Sequence, residues 1–251
     1  MNPKNLFIAA LLSLNFFSIL LWRGVGGEAF AQTDPWTQII SNGFGSTNII
    51  GINELHTFKN QIYAGTQSIG GTGSFQIWKS STGNTGSWTK ITSFTPALSP
   101  ADASLISLNH TDFGGGIMYC GDVNIMQGGV IYRTTDGTSF TKISKRGMGS
   151  TNSSITPNMV VFKGTATDTF LYSGVGNTAS SSGAASVWRI KYSSTDSNAW
   201  VKVIDFNTGT GIGTADTSVK MPTYFYVWNN KIYLGCLSPS LGARLYRSDN
   251  G

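Results

Sequence analysis

Charged side chains are scarce in this chain. Asp, Glu, Lys and Arg make up 12% of its 251 residues, against about a quarter in an ordinary globular protein. Glutamate is nearly missing: beyond Glu28 there is only Glu54. Paired-carboxylate catalysis needs two acids facing each other across a cleft, and no spacing here pairs Glu54, Asp102, Asp122 or Asp216. The basic residues, among them Lys59, Lys90, Arg133, Arg189 and Arg247, are scattered rather than gathered into a stripe, which argues against a nucleic-acid partner. Two cysteines, Cys120 and Cys236, exclude a disulfide-stapled scaffold and leave room for one bridge or two buried thiols. Two histidines, His56 and His110, show no zinc spacing, and no Gly-x-Ser-x-Gly elbow occurs. No metal, cofactor or catalytic residue is expected.

Long apolar runs are also absent after the N-terminus. Lys4 precedes a mostly apolar stretch from Leu6 to Trp22, and Ala29-Phe30-Ala31 has the small-x-small form that signal peptidase reads. Residues 1–31 are therefore expected to be a signal peptide cleaved before Gln32. The competing reading is an uncleaved anchor, for which the stretch is at the short end. Removing Lys4, Arg23 and Glu28 leaves 15 basic and 11 acidic side chains, a net charge of +4. The expected location is secreted or cell-surface, with no span after cleavage.

What is present is glycine (31 residues), Ser, Thr and Asn, with aromatics at 12%. That mixture marks a turn-rich β protein rather than a disordered one. One phrase returns at long period. Trp36-Thr37-Gln38-Ile39 leads to Gly43-Phe44-Gly45-Ser46-Thr47-Asn48, and Phe140-Thr141-Lys142-Ile143 leads to Gly147-Met148-Gly149-Ser150-Thr151-Asn152. A looser third copy is Gly211-Ile212-Gly213-Thr214-Ala215-Asp216. It lacks the third glycine and the helix of a phosphate loop, so it reads first as a connector needing positive φ.

Around this phrase four units align. Each has an apolar strand, an aliphatic-Tyr-x-Gly strand, an apolar-aromatic-basic strand and a strand led by an aromatic. The second strands carry Tyr63, Tyr119, Tyr172 and Tyr233; the third strands carry Trp78, Tyr132, Trp188 and Tyr246, expected to be core between units. Four short strands per unit, repeated, predict an all-β fold, a β-propeller of four-stranded blades. The blades are placed at about 53–91, 105–143, 158–203 and 224–251, within a domain spanning 32–251. The last unit has no fourth strand, and residues 36–40 are expected to supply it as a closing strand. Four is a lower bound, because the same pattern fits a fragment of a longer propeller.

The turns between third and fourth strands add a resemblance. They read Ser80-Ser81-Thr82-Gly83, Thr134-Thr135-Asp136-Gly137 and Ser248-Asp249-Asn250-Gly251, with Ser194-Thr195-Asp196-Ser197-Asn198-Ala199-Trp200 in the third unit. They resemble the Asp-box (BNR) turn, Ser-x-Asp-x-Gly-x-Thr-Trp, of sialidase-like β-propellers. The second copy is one residue short, Thr82 stands for Asp, and Asn198 stands for Gly. The chain is also similar to exported bacterial propeller proteins that carry no assigned activity. The resemblance implies a propeller, with the turns away from the binding face. It would also admit a sialidase, which clamps a carboxylate with three arginines and uses a Tyr/Glu pair. The five arginines left after the leader include Arg133, Arg189 and Arg247, all repeat positions, and the Arg-Ile-Pro opening is absent.

The connectors and the loops between second and third strands should emerge on one rim. Asn48, Glu54, Gln67, Asp122, Asn124, Asn152, Asn177 and Asp216 fall there. Neutral amides with few charges suit a sugar or a peptide backbone. The expected function is an exported, non-catalytic binding module for a glycan or an extracellular protein. The alternative is a sialidase-like or related glycoside hydrolase.

Overall fold

The computed structural model describes residues 36–68, 76–92, 104–110, 116–124, 128–150, 153–163, 168–176 and 185–251. The expected signal peptide lies outside them. Residues 38–251 form one compact unit, and it is all-β. Its strands are β1 (Ile49–Phe58), β2 (Gln61–Ser68), β3 (Ile77–Ser80), β4 (Thr89–Lys90), β5 (Ser104–His110), β6 (Met118–Asn124), β7 (Ile131–Thr134), β8 (Thr141–Lys142), β9 (Ser154–Phe162), β10 (Phe170–Gly176), β11 (Ser186–Lys191), β12 (Val201–Asp205), β13 (Met221–Trp228), β14 (Lys231–Leu237) and β15 (Arg244–Ser248). They make three antiparallel meanders of four strands and a fourth of three. The first two meanders also join where the end of β2 pairs with the start of β5, through Gln67↔Leu105 and Ser68↔Ser104. Residues 36–40 lie in no strand, so the expected closing strand is not formed by them.

The four units superimpose in register. Each second-strand tyrosine stands opposite the basic residue of its third strand: Tyr63↔Lys79, Tyr119↔Arg133, Tyr172↔Arg189 and Tyr233↔Arg247. The first strands of successive sheets lie side by side, β1 by β5, β5 by β9 and β9 by β13.

Both faces of the inner sheets are buried, which explains the near-continuous apolar strands. Along β6, Met118 and Cys120 pack toward the first sheet while Tyr119 packs toward the third. Along β10, Leu171 and Val175 face the second sheet, and Tyr172 faces the fourth. The period-two alternation thus divides each strand between two inter-sheet cores. Cys120 and Cys236 are free, buried thiols in different cores.

The glycine-rich phrase is a packing device. Asn42, Gly43 and Phe44 take left-handed φ of 54°, 52° and 58°, and Gly147 and Met148 repeat it at 51° and 54°. The tight reversal thrusts the middle side chain onto the third-strand aromatic of the following sheet. Phe44 stacks on Trp78 with ring centroids 4.6 Å apart and planes at 13°. Met148 packs in the core that holds Trp188, and Ile212 in the core that holds Tyr246.

A second device recurs between sheets. The turn of one sheet closes on the tyrosine of the sheet before it. A Cβ on Gly137 would fall on the Tyr63 hydroxyl and crowd Phe58, and a Cβ on Gly251 would fall on the Tyr172 hydroxyl and crowd Phe162. In the third sheet the Ser193 N–H reaches the Tyr119 hydroxyl at 3.5 Å. Each turn is held locally. Ser80, Thr134 and Ser248 accept from the N–H of Gly83, Gly137 and Gly251 at 2.8, 2.9 and 2.9 Å. Asp136 also accepts from the N–H of Thr138 and Ser139, both at 2.7 Å, and these bonds hold its carboxyl well below the usual range.

Candidate functional site

The two ends of the sheets differ. One end carries the two-residue turns Lys59-Asn60 and Asn229-Asn230, all at positive φ, and the glycine turns. The other carries the connectors and the loops from second to third strands. Loops 69–75, 125–127 and 177–184 there lie outside the described residues, as do Asn152 and Asn177.

Asp122 is a strongly perturbed group at this connector end. It is fully buried, not on a solvent-facing rim as expected. Its backbone N–H donates to the Val130 carbonyl at 2.9 Å, and Oδ1 accepts from the Val130 N–H at 3.1 Å. Oδ2 has no hydrogen-bond partner among the described residues. Desolvation pushes the carboxyl up to about 7, against lowering by the Val130 bond and by the Arg146 and Lys142 charges. Arg146 reaches this neighbourhood because its connector packs hard against Gly128. A Cβ on Gly128 would come within 2.9 Å of the Gly147 backbone, and the Gly147 N–H donates to Gly129 O at 2.8 Å. The sequence places Arg146 only as one of five arginines; its position next to Gly147 is the signal that could have located it.

Glu54 is half-buried on β1, opposite Gly65. It and Asp122 both neighbour Cys120, whose thiol is pushed up first by burial, then by Asp122, then by Glu54. These two expected site residues therefore share one neighbourhood. Gln67 is half-buried at the seam between β2 and β5, and Asn48 is exposed at the start of β1. Asn124 ends β6.

Asp216 belongs elsewhere and is structurally engaged. It accepts from the Ser218 N–H and hydroxyl, from Arg244 Nε at 3.1 Å and from the Tyr246 hydroxyl at 3.1 Å. The Ser218 bond leads the causes that lower its carboxyl. It ties the third connector to β15, which a free ligand contact would not do.

The repeat arginines sit at the turn end. Arg189 Nη1 donates to the Tyr172 hydroxyl at 3.2 Å and to Gly251 O at 3.3 Å, and its guanidinium stacks 4.4 Å from the Phe170 ring centroid. Among the described residues no group of three His, Cys, Asp or Glu could hold a metal ion, and no helix is long and apolar enough to cross a membrane.

No family model matches the chain, and no curated protein matches it. Among solved structures it is similar to the native Bacillus subtilis arabinanase Arb43A, at 13% identity and a TM-score of 0.43, covering 78% of this chain and 71% of that one. It is similar to the α-L-arabinofuranosidase CtGH43 of Clostridium thermocellum, at 11% and 0.42, covering 78% and 67%. It is similar to a GH43_1 enzyme of Xanthomonas citri, at 11% and 0.42, covering 78% and 69%. The chain spans about two thirds of the length of such structures, and 66% of another, a glycoside-hydrolase-like chain of Parabacteroides distasonis.

Proposed function

We propose that this chain is an exported β-propeller module that binds a glycan at its connector end and does not cleave it. The successive four-stranded meanders, packed face to face with first strands adjacent, support the propeller reading. The hydroxyl- and Asp136-held glycine turns support their reading as Asp-box turns.

The observation that carries the non-catalytic reading is the engagement of Asp216. A glycosidase needs two acids free to meet substrate, and Asp216 is held by Ser218, Arg244 and Tyr246. A sialidase would need its arginines at the ligand, whereas Arg189 is committed to Tyr172 and Phe170. The ligand would meet neutral groups such as Asn48 and Gln67 with Glu54 beside them, a set that matches sugar hydroxyls.

One observation favours the hydrolase alternative. Asp122, raised to about 7, and Glu54 lie near one thiol in different environments, which is how an acid and a base can be set apart. A glycan array followed by product analysis on each bound glycan tests both. Binding without product, weakened by Gln67→Ala, is expected. Turnover abolished by Asp122→Asn would replace the binding reading with the hydrolase.

A further inference from the structure

We propose that Asp122 and the connector Arg146–Gly149 form a proton-linked latch: the connector is seated while the Asp122 carboxyl is neutral and lifts more often once it is charged. As regulation of the connector-end site this rests on the binding reading above. The latch itself is read without a ligand, so either can fail while the other stands.

One peptide group joins the two parts. The Val130 N–H and the Gly129 carbonyl belong to the same peptide unit. Its N–H donates to Asp122 Oδ1 at 3.1 Å, and its carbonyl accepts from the Gly147 N–H at 2.8 Å. Asp122 and the connector thus hold opposite sides of one rigid plane. The seat of the connector is backbone against backbone. A Cβ on Gly128 would come within 2.9 Å of Gly147 N, Gly147 Cα and Ser153 O, and one on Gly147 within 2.8 Å of Ser153 O. Gly128, Gly147 and Met148 take φ of 84°, 51° and 54°, and Gly147 is buried.

A charge on Asp122 works against this arrangement. The residue is fully buried, and Oδ2 has no hydrogen-bond partner among the described residues. A buried carboxylate with an unfilled acceptor is costly, and the cost falls when water reaches it. The groups around it do not cancel that cost. Lys142 on β8 and Arg146 on the connector lower the carboxyl, but burial outweighs them and brings it to about 7. Cys120 on the same strand neighbours both Asp122 and Glu54 of β1, and its thiol is pushed well up and stays neutral. His56 of β1 stands opposite Tyr63, Arg133 of β7 opposite Tyr119 and His110 of β5 opposite Met118, all toward the turn end. β2 and β9 carry no Asp, Glu, Lys, Arg or His. Lifting the connector hydrates the carboxyl and lets it return toward its ordinary 3.8. The seated state therefore binds the proton more tightly than the lifted one. The lifted fraction grows as pH rises from about 4 to 7 and is constant above, by at most about a thousandfold, tenfold for each pH unit.

Amide hydrogen exchange on the whole protein from about pH 4 to about pH 8, each rate divided by the intrinsic rate at that pH, tests this. The Gly147 amide is the reporter. The Phe206 amide, which donates to Ala185 O at 3.1 Å in the core of the third and fourth sheets, is the reference for global unfolding. Gly147 should be at least about tenfold less protected than Phe206, and its protection should fall at least about tenfold between about pH 4 and 7 and then level off. Asp122→Asn keeps the acceptor for Val130 and removes the titration, so it should flatten that dependence and leave Gly147 protected at neutral pH. Gly128→Ala forces the connector off without altering the carboxyl. It should expose Gly147 at every pH while Phe206 stays protected; should it unfold, Asp122→Asn decides alone. Equal protection of the two amides would show that Gly147 opens only with the whole fold. A pH-independent Gly147, or a dependence that survives Asp122→Asn, would show that Asp122 does not work the connector. Each of these results would overturn the proposal.

Discussion

The contact between a glycine turn and the preceding tyrosine can be measured apart from the backbone strain that accompanies it. Gly137 and Gly86 have nearly equal φ, +73° and +78°, but a Cβ at Gly86 meets nothing within 4 Å while one at Gly137 meets the Tyr63 hydroxyl, Tyr63 Cζ at 3.0 Å and Phe58 Cδ1 at 3.3 Å. Gly86→Ala should cost only the left-handed penalty, about 1–2 kcal/mol. Gly137→Ala should cost that plus an overpacking term of about 1–3 kcal/mol. The term is real because Tyr63 is 1% exposed and packed on Phe58, so it has nowhere to move. Tyr63→Phe removes the nearest atom. Alone it loses a long 3.4 Å bond to Gln61, so it should cost about 0.5–1 kcal/mol. Combined with Gly137→Ala it should recover part of the overpacking, a favourable coupling of about 1 kcal/mol or more. Recovery stays incomplete because Cζ and Phe58 remain close. Urea unfolding followed by tryptophan fluorescence gives all four values. Equal costs for the two glycine substitutions, or zero coupling, would refute the idea that the turn glycine is required by the neighbouring tyrosine.

Two further outcomes follow from the same geometry. Asp122 is raised from 3.8 to about 7 in the folded protein, so the native state holds its proton more tightly than the unfolded chain. Stability should therefore fall as pH rises from about 4 to 7 and level off above, by at most about 4 kcal/mol (3.2 pH units at 1.36 kcal/mol each). Asp122→Asn should flatten that slope in urea titrations, matching the parent at pH 4 and exceeding it at pH 8; an unchanged slope would mean that another group governs it. Phe44→Ala removes the stack on Trp78 and should cost about 2–4 kcal/mol from lost burial and ring contact, with a shift in tryptophan emission; a cost below about 0.5 kcal/mol would place the phrase outside the core.

The fold was legible wherever its determinants are local. The aliphatic-Tyr-x-Gly and apolar-aromatic-basic strings each fill a strand with period-two alternation, and the structure puts β2, β6, β10 and β14 on them. The glycine turns were legible because Ser, Thr and Asp bond backbone two or three residues on. The site was less so, because its partners are distant in sequence. Asp122 looks like a rim acid until the Val130 strand and the Arg146 connector close over it. Asp216 looks like a repeat of Asn48 until Arg244 and Tyr246 come back to it. The role of Phe44 depends on Trp78, on the far side of β1 and β2. The closing strand at 36–40 was inferred from repeat counting alone, and counting carries no information on pairing energy.

The division of labour between the two ends of the sheets bears on where recognition can evolve. At the turn end, the tyrosines, the basic residues opposite them and the glycines are joined across sheet boundaries. A change there disturbs two sheets at once, so that end tolerates little variation. At the connector end, the loops between second and third strands differ in composition from unit to unit. Such loops can change without unseating the sheets. The left-handed connectors are the rigid part of that end, since Phe44, Met148 and Ile212 anchor them in the cores. Asn48 follows such an anchor within a few residues, which fixes its position while leaving its side chain exposed. A ligand site built on anchored connectors and variable loops would be pre-organised on one side and adaptable on the other. Grafting a connector-end loop from one unit to another should thus alter ligand preference while leaving the unfolding midpoint nearly unchanged, whereas grafting a glycine turn should do the reverse.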